Sequence, residues 1–327
     1  AGRPGGFSGA GRYGATRYRW VDVVTMGYMA STGALHLLLG HGTPGWLTTV
    51  MLHFGYVVFG LEMLRASQRH PTSVLLRELR TFYPTFIIVY GFFDSTHLQD
   101  LISNGEFWAS GLLADADRAI FGVHPTIWIE RWHRPWLDEI VCFFNVAYYL
   151  IPFVFAVPLV LAGRRLEVWA GASIVLFTYV VNYTLFLLIP GVSPRMIPEI
   201  EALRTVTVDG GGPFVWLQYL IQGENGAARG AAFPSAHVSA SVAWSLCAWR
   251  YERKFALITW PLALGTAFST VYLGFHHAID PLAGFLLGGI CYWVGVRILR
   301  ARGEDPLVDR EAAAREGAAA PLLRRPR

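Results

Sequence analysis

The sequence predicts an all-α, polytopic membrane helix bundle, and three observations carry that expectation. Hydrophobic residues make up 54% of the 327 and charged ones only 15%, against about a quarter charged in an ordinary soluble domain; the mean hydropathy is +0.39. The apolar residues gather into about eight stretches, near 21–40, 44–64, 81–101, 139–162, 167–190, 236–249, 256–275 and 281–299. Most approach the roughly 20 residues that cross a bilayer core as helix. Basic residues, finally, concentrate in alternate connections, as the orientation rule for membrane proteins demands.

The first stretch carries Thr25, Ser31, Thr32 and His36, and the sixth is short, so six to eight transmembrane helices are expected. Arg65, Arg69, Arg77 and Arg80 fill the 65–80 loop after the second. Beyond the third, residues 106–135 mix Trp108, Trp128 and Trp132 with Asp115, Asp117, Glu130 and Arg131, the pattern of one or two helices lying in the interface. Arg164 and Arg165 separate the fourth and fifth stretches. Residues 191–232, with Gly210, Gly211, Gly212 and Gly223, read as an irregular connector. Arg250, Arg253 and Lys254 divide the sixth from the seventh, the tail beyond 296 is Arg-rich, and the first 19 residues hold four arginines. Eight crossings put all of these on the cytoplasmic side, with both termini there and the 102–138 and 191–235 loops opposite.

One catalytic domain, 20–300, is expected between mobile tails at 1–19 and 301–327, both rich in Gly, Ala, Arg and Pro. The Gly- and Arg-rich start shows no cleavable leader pattern. Net charge of +4 and a pI near 9.0 are accounted for by the cytoplasmic loops; no basic and aromatic binding motif accompanies them, so nucleic acid is not an expected partner. Cys142, Cys247 and Cys291 lie inside apolar stretches and are expected to pack, not to pair or bind metal.

Ionisable groups at membrane depth are costly and therefore candidates for function. His276 and Asp280 stand four residues apart where the seventh stretch gives way to the eighth; His237 opens the sixth after Phe233-Pro234-Ser235-Ala236. Pro281 fits the first position of a helix capped by Asp280, with His276 closing the preceding helix. An aspartate on one imidazole nitrogen leaves the other free to attack. Pro234 and Ser235 read as a second helix start, with His237 in its first turn, where backbone N–H groups favour an anion. Arg195 and Arg229 add two guanidinium forks suited to phosphate oxygens. Together these residues describe a phosphate held at the outer leaflet and attacked by a histidine.

Those blocks resemble the signatures of the type-2 phosphatidic-acid phosphatase superfamily of lipid phosphatases and head-group transferases. Pro234-Ser235-Ala236-His237 is similar to its Pro-Ser-Gly-His signature, and Ser269-Thr270 with His276 and Asp280 is similar to its Ser-Arg-(five)-His-(three)-Asp signature. The resemblance covers roughly 190–290. It implies that His276 is the phosphorylated nucleophile, Asp280 its partner and His237 the acid that protonates the leaving group. Thr270 replaces the phosphate-binding arginine, for which Arg229 would compensate; the single lysine, Lys254, falls on the cytoplasmic side, leaving Ser193-Pro194-Arg195 as the match to the first signature. The Ser-Thr start and the His276-His277 pair look like the inositol phosphorylceramide synthase branch.

Ser235 either caps its helix or binds phosphate as well. Asp94 and His97, spaced i,i+3 near the outer end of the third stretch, offer a polar face for an acceptor or a structural pair; His36, His53 and Asn182 stand alone and read as packing. His237, His276, His277 and Asp280 are ligand types that zinc favours, but no His-Glu-x-x-His run is present and the resemblance implies metal-free catalysis, so neither a metal nor a cofactor is expected. The expected function is a plasma-membrane lipid phosphotransferase acting at the outer face on a phospholipid or polyprenyl phosphate, with a polyol or lipid alcohol as acceptor. The alternative is a lipid phosphate or polyprenyl diphosphate phosphatase, with water as acceptor; a lipid transporter would leave both histidines dispensable.

Overall fold

The computed structural model describes residues 18–206, 208, 211–222 and 229–308. Among these the chain is helical throughout, with α1 (Trp20–Leu39), α2 (Trp46–Arg69), α3 (Val74–Phe82), α4 (Phe86–Ser103), α5 (Ala109–Phe121), α6 (Pro125–Trp128), α7 (Pro135–Ala147), α8 (Ile151–Leu161), α9 (Arg165–Leu188), α10 (Pro198–Glu201), α11 (Pro213–Gln222), α12 (Ala236–Tyr251), α13 (Arg253–Tyr272) and α14 (Ile279–Ala301). Among the described residues the one β-type contact is a bridge between Gly191 and Ala231. Each of the eight apolar stretches forms a helix, α7 and α8 making up a single one. Among the described residues, five helices are long and apolar enough to cross a membrane: Trp46–Arg69, Pro135–Leu161, Arg165–Leu188, Arg253–Tyr272 and Ile279–Ala301. Their outward residues are apolar, Leu161, Leu257 and Leu286 among the most exposed, as a lipid-facing surface requires.

The centre of the bundle is α9, α12 and α14, with Ile174, Phe186, Ala240, Ala243 and Leu299 in one core. Small residues bring two of these helices together. A Cβ at Gly284 of α14 would lie 2.8 Å from the Ser235 carbonyl oxygen, and one at Gly288 only 2.5 Å from that of Ser239. This Gly-x-x-x-Gly face lets backbones approach where lipid offers no hydrophobic drive to association. Asn182 of α9 donates to Ser239 Oγ at 2.7 Å, so the asparagine read as isolated joins two helices.

Charge marks one end of the bundle. Arg80 meets Asp22 at 3.3 Å, Arg164 meets Glu252 at 2.6 Å and Arg250 meets Asp305 at 2.5 Å. The mobile tails expected at 1–19 and 301–327 lie outside the described residues except for 18–19 and 301–308. These ends meet: Arg302 donates to the Tyr18 carbonyl at 2.6 Å, and Glu304 accepts from Trp20 N at 3.1 Å. α12 runs from Ser235 to this charged end and α14 returns to it from Asp280, so the two signature blocks share the opposite end.

Two connections differ from the sequence reading. The 65–80 loop contains α3, capped by Ser73 Oγ, which accepts from Leu76 N at 3.4 Å. The irregular 191–232 connector contains α11, whose first turn is capped from a distance by Glu139 of α7, accepting from Phe214 N at 2.9 Å and Val215 N at 3.2 Å. α11 exposes Trp216, Tyr219 and Leu220. Residues 106–135 form α5, α6 and a 3₁₀ turn at Ile129–Trp132.

Candidate active site

α13 stops in a Schellman turn that aims His276. Phe275 N donates to Thr270 O at 2.9 Å and Gly274 N to Val271 O at 3.0 Å, with Gly274 at φ +73, where a glycine has no Cβ to clash. His276 N also donates to Thr270 O at 3.0 Å. Thr270 therefore serves the turn through its carbonyl and is itself 1% exposed; its hydroxyl donates to Ala267 O at 2.9 Å.

His276 Nδ1 lies 3.2 Å from Asp280 Oδ2, which also accepts from His277 N at 2.9 Å. Asp280 was expected to cap α14. The helix instead begins at Ile279, and its first N–H groups are taken by Asp117 of α5, which accepts from Ala278 N and Ile279 N at 2.9 Å each. A carboxylate supplied by another element frees Asp280 to turn back onto His276 and His277. Asp280 Oδ1 is buried without a partner.

The second block meets the first through the backbone, Ser235 N donating to Asp280 O at 3.1 Å. Ser235 is the N-cap of α12, accepting from Val238 N at 3.5 Å, and is fully buried. It sets His237 in the first turn with its ring edge-on to His276, centroids 6.2 Å apart, and with the Tyr148 ring centroid 4.6 Å away. The third strand of contacts comes from residues 190–196. Ala232 N donates to Gly191 O at 3.2 Å, and His277 Nε2 lies 3.3 Å from Val192 O. Ser193 Oγ and Arg195 Nη2 are buried and unpartnered, and the Arg195 guanidinium stacks 4.2 Å above the Phe275 ring. Buried donors without partners carry a desolvation penalty, and an anion brought to them would remove it.

Electrostatics follow from burial. His276 is pushed down from 6.5 to about 4 by burial, with the Ala232 backbone opposing; its ring is a neutral base at physiological pH. Burial also lowers His277, with Asp280 opposing. Burial, and then Arg204, lowers Arg195 to about 10, which leaves it charged. Asp117 is raised by burial against its two backbone hydrogen bonds.

His237, His276, Asp280, Ser235 and the 193–195 segment thus come together at one end of the bundle. Arg229 sits in an exposed turn four residues before Phe233. Asp94 and His97 stand on α4, where Asp94 commits both carboxylate oxygens to His36 and His53. Asp117 and Tyr148 were missed as site residues in the sequence, whereas Ser193 was named only as part of the first-signature match. Asp117 is one acid among several in a Trp-rich segment and Tyr148 one of two adjacent tyrosines, and neither has a local signal that marks a partner more than 80 residues away.

Residues 112–294 match the model of the PAP2 superfamily. Among curated proteins, a PA-phosphatase related-family protein of Dictyostelium discoideum is 29% identical over 121 residues, which is 36% of this chain and 21% of that protein; the match spans about a fifth of the relative. No solved structure matches the chain.

Proposed function

The chain belongs to the PAP2 superfamily, and from that premise we propose that it is a metal-independent, histidine-dependent lipid phosphotransferase working through a phosphohistidine at the outer face of the plasma membrane. The observation that carries the reading is the pairing of His276 with Asp280 at 3.2 Å beside the His237 ring. Asp280 holds the proton on Nδ1, leaving the Nε2 lone pair to attack phosphorus. The bond from phosphorus to the departing alcohol oxygen breaks as the P–N bond forms, and protonated His237 delivers its proton to that oxygen. Neutral His237 then takes the proton of the acceptor hydroxyl, whose oxygen attacks phosphorus and releases His276.

Arg195, Ser193, the capped end of α12 at Ser235 and the exposed guanidinium of Arg229 would supply positive charge and donors where the phosphoryl oxygens develop charge. The substrate would be a phospholipid or polyprenyl phosphate. The acceptor would be a polyol or lipid alcohol, as in inositol phosphorylceramide synthase-like members, with His97 on α4 as its contact. Both termini would be cytoplasmic, which the arginines at the charged end of the bundle favour. A second reading, a lipid phosphate or polyprenyl diphosphate phosphatase with water as acceptor, draws support from the similarity to the Dictyostelium PA-phosphatase related-family protein.

The experiment offers purified protein a mixed pool of phospholipids, polyprenyl phosphates and lipid alcohols, with and without inositol, and follows free phosphate and new lipid masses together. A new lipid carrying the transferred group, absent with His276→Ala and unmatched by phosphate release, supports the transferase. Phosphate alone, absent with His276→Ala, establishes the phosphatase. Turnover undiminished in His276→Ala removes both.

A further inference from the structure

Three side chains far apart in sequence converge in the first half of the bundle, outside the residues matched to the family. Among the described residues, His36 of α1, His53 of α2 and Asp94 of α4 form the group whose ligand atoms all lie within 4.8 Å of one another. His36 Nε2 is 2.8 Å from Asp94 Oδ1 and His53 Nε2 is 3.1 Å from Asp94 Oδ2. Both histidines are 0% exposed and Asp94 is 5% exposed. We propose that His36, His53 and Asp94 bind a divalent first-row transition-metal ion, zinc by its fit to two imidazoles and a carboxylate, which ties α1, α2 and α4 together.

The hydrogen bonds around His53 carry the argument. Its Nδ1 lies 2.7 Å from the Thr49 carbonyl oxygen, which can only accept, and 3.2 Å from the Tyr90 hydroxyl, which can do either; the nearer carbonyl places the proton on Nδ1. The neutral ring then presents a lone pair at Nε2, 3.1 Å from a carboxylate oxygen that is also an acceptor. Two acceptors face each other in a buried site, and a cation between them resolves the conflict. A backbone carbonyl on the far nitrogen is also the usual outer partner of a metal-bound histidine, setting its tautomer and its ring orientation. His36 completes the donor set: its hydrogen bond to Asp94 Oδ1 is exchanged for a metal bond when its proton moves to Nδ1, which is buried with no partner, and Nε2 takes the metal. Two histidines and one carboxylate are a zinc ligand set with one position left over, and imidazole donors select zinc and its neighbours over magnesium or calcium. Helices in lipid gain little from apolar contact with each other, and a metal bridging three of them provides a directional link.

The test uses the full chain, purified in detergent with its affinity tag removed. Metal content is measured after dialysis against Zn2+, and Co2+ replaces it for absorption spectroscopy. X-ray absorption on the zinc-loaded protein reads the ligands directly. Expected are about one equivalent of zinc, imidazole scattering at the metal, and a Co2+ ligand-field spectrum. Asp94→Asn and His53→Gln should each weaken zinc binding by at least ~10-fold, whereas His124→Gln should not. Wild-type protein that is folded and binds no zinc overturns the proposal. Zinc bound without imidazole scattering, or retained unchanged in both variants, overturns it equally. Should either variant fail to fold, the absorption measurement on wild type still decides. Catalysis by His276 stands or falls separately, because none of these readouts depends on turnover.

Discussion

Replacing Asp117 by asparagine keeps the shape of the side chain and removes its charge, and the consequence can be worked from two distances. Asp117 Oδ2 and Oδ1 accept from Ala278 N and Ile279 N at 2.9 Å each, in a site 1% exposed. Asparagine keeps one acceptor and turns an NH2 group toward the other N–H, so one charge-assisted bond is lost and one buried donor is stranded. Each such bond contributes about 1.5–3 kcal/mol. The stretch it holds, 276–280, carries the nucleophile and its aspartate. If about 2–3 kcal/mol of alignment is lost in the transition state, kcat falls about 30- to 150-fold. Because Asp117 is placed behind the turn and not against the lipid, KM should hardly change. The assay is steady-state turnover, with thermal unfolding as the control for folding. A kcat within threefold of wild type in folded protein, or a rise in KM alone, refutes the positioning argument.

Other perturbations follow from the same geometry. The nucleophile must be unprotonated, and burial pushes His276 from 6.5 down to about 4; the acid limb of kcat/KM should therefore fall well below pH 6.5, and a half-maximal point at 6.5 or above contradicts it. Stability carries the same sign, since the unfolded ring takes up a proton that the folded one refuses: it is full above pH 6.5 and declines as pH falls toward about 4, readable as a falling unfolding temperature. Arg195→Lys keeps the charge and loses the fork whose Nη2 is buried without a partner, and kcat/KM should drop about 10- to 100-fold, with Arg195→Ala worse. Gly288→Ala places a Cβ 2.5 Å from the Ser239 carbonyl oxygen, whereas Gly289→Ala meets nothing within 4 Å. The first should destabilise by about 1–3 kcal/mol and the second should be neutral in thermal unfolding.

What the sequence revealed and what it hid divide along physical lines. A run of about 20 apolar residues announces its own helix, so the eight long segments and the all-α class were legible. So was the start of α12, where Pro234 and Ser235 act within a few residues of the helix they begin. Short helices at the interface were not: α3 has only nine residues, and α11 is capped by Glu139, about 75 residues earlier. The start of α14 shows the same limit, because its cap is Asp117 and not the adjacent Asp280. His36, His53 and Asn182 looked isolated because periodicity shows the face on which a residue lies and not the helix that face will meet. The order of the two histidine blocks was visible; the buried donors of Ser193 and Arg195 beside them were visible only once the chain had closed.

The central claim is that His276 becomes covalently phosphorylated. Rapid mixing of the protein with a phospholipid labelled at phosphorus, a base quench within one turnover and mass mapping of the peptides would test it most directly. The account predicts a base-stable, acid-labile phosphoryl group on the peptide bearing His276, formed before product, and absent from His276→Ala. Product formed in a single turnover with no label on His276, or label persisting in His276→Ala, would contradict it.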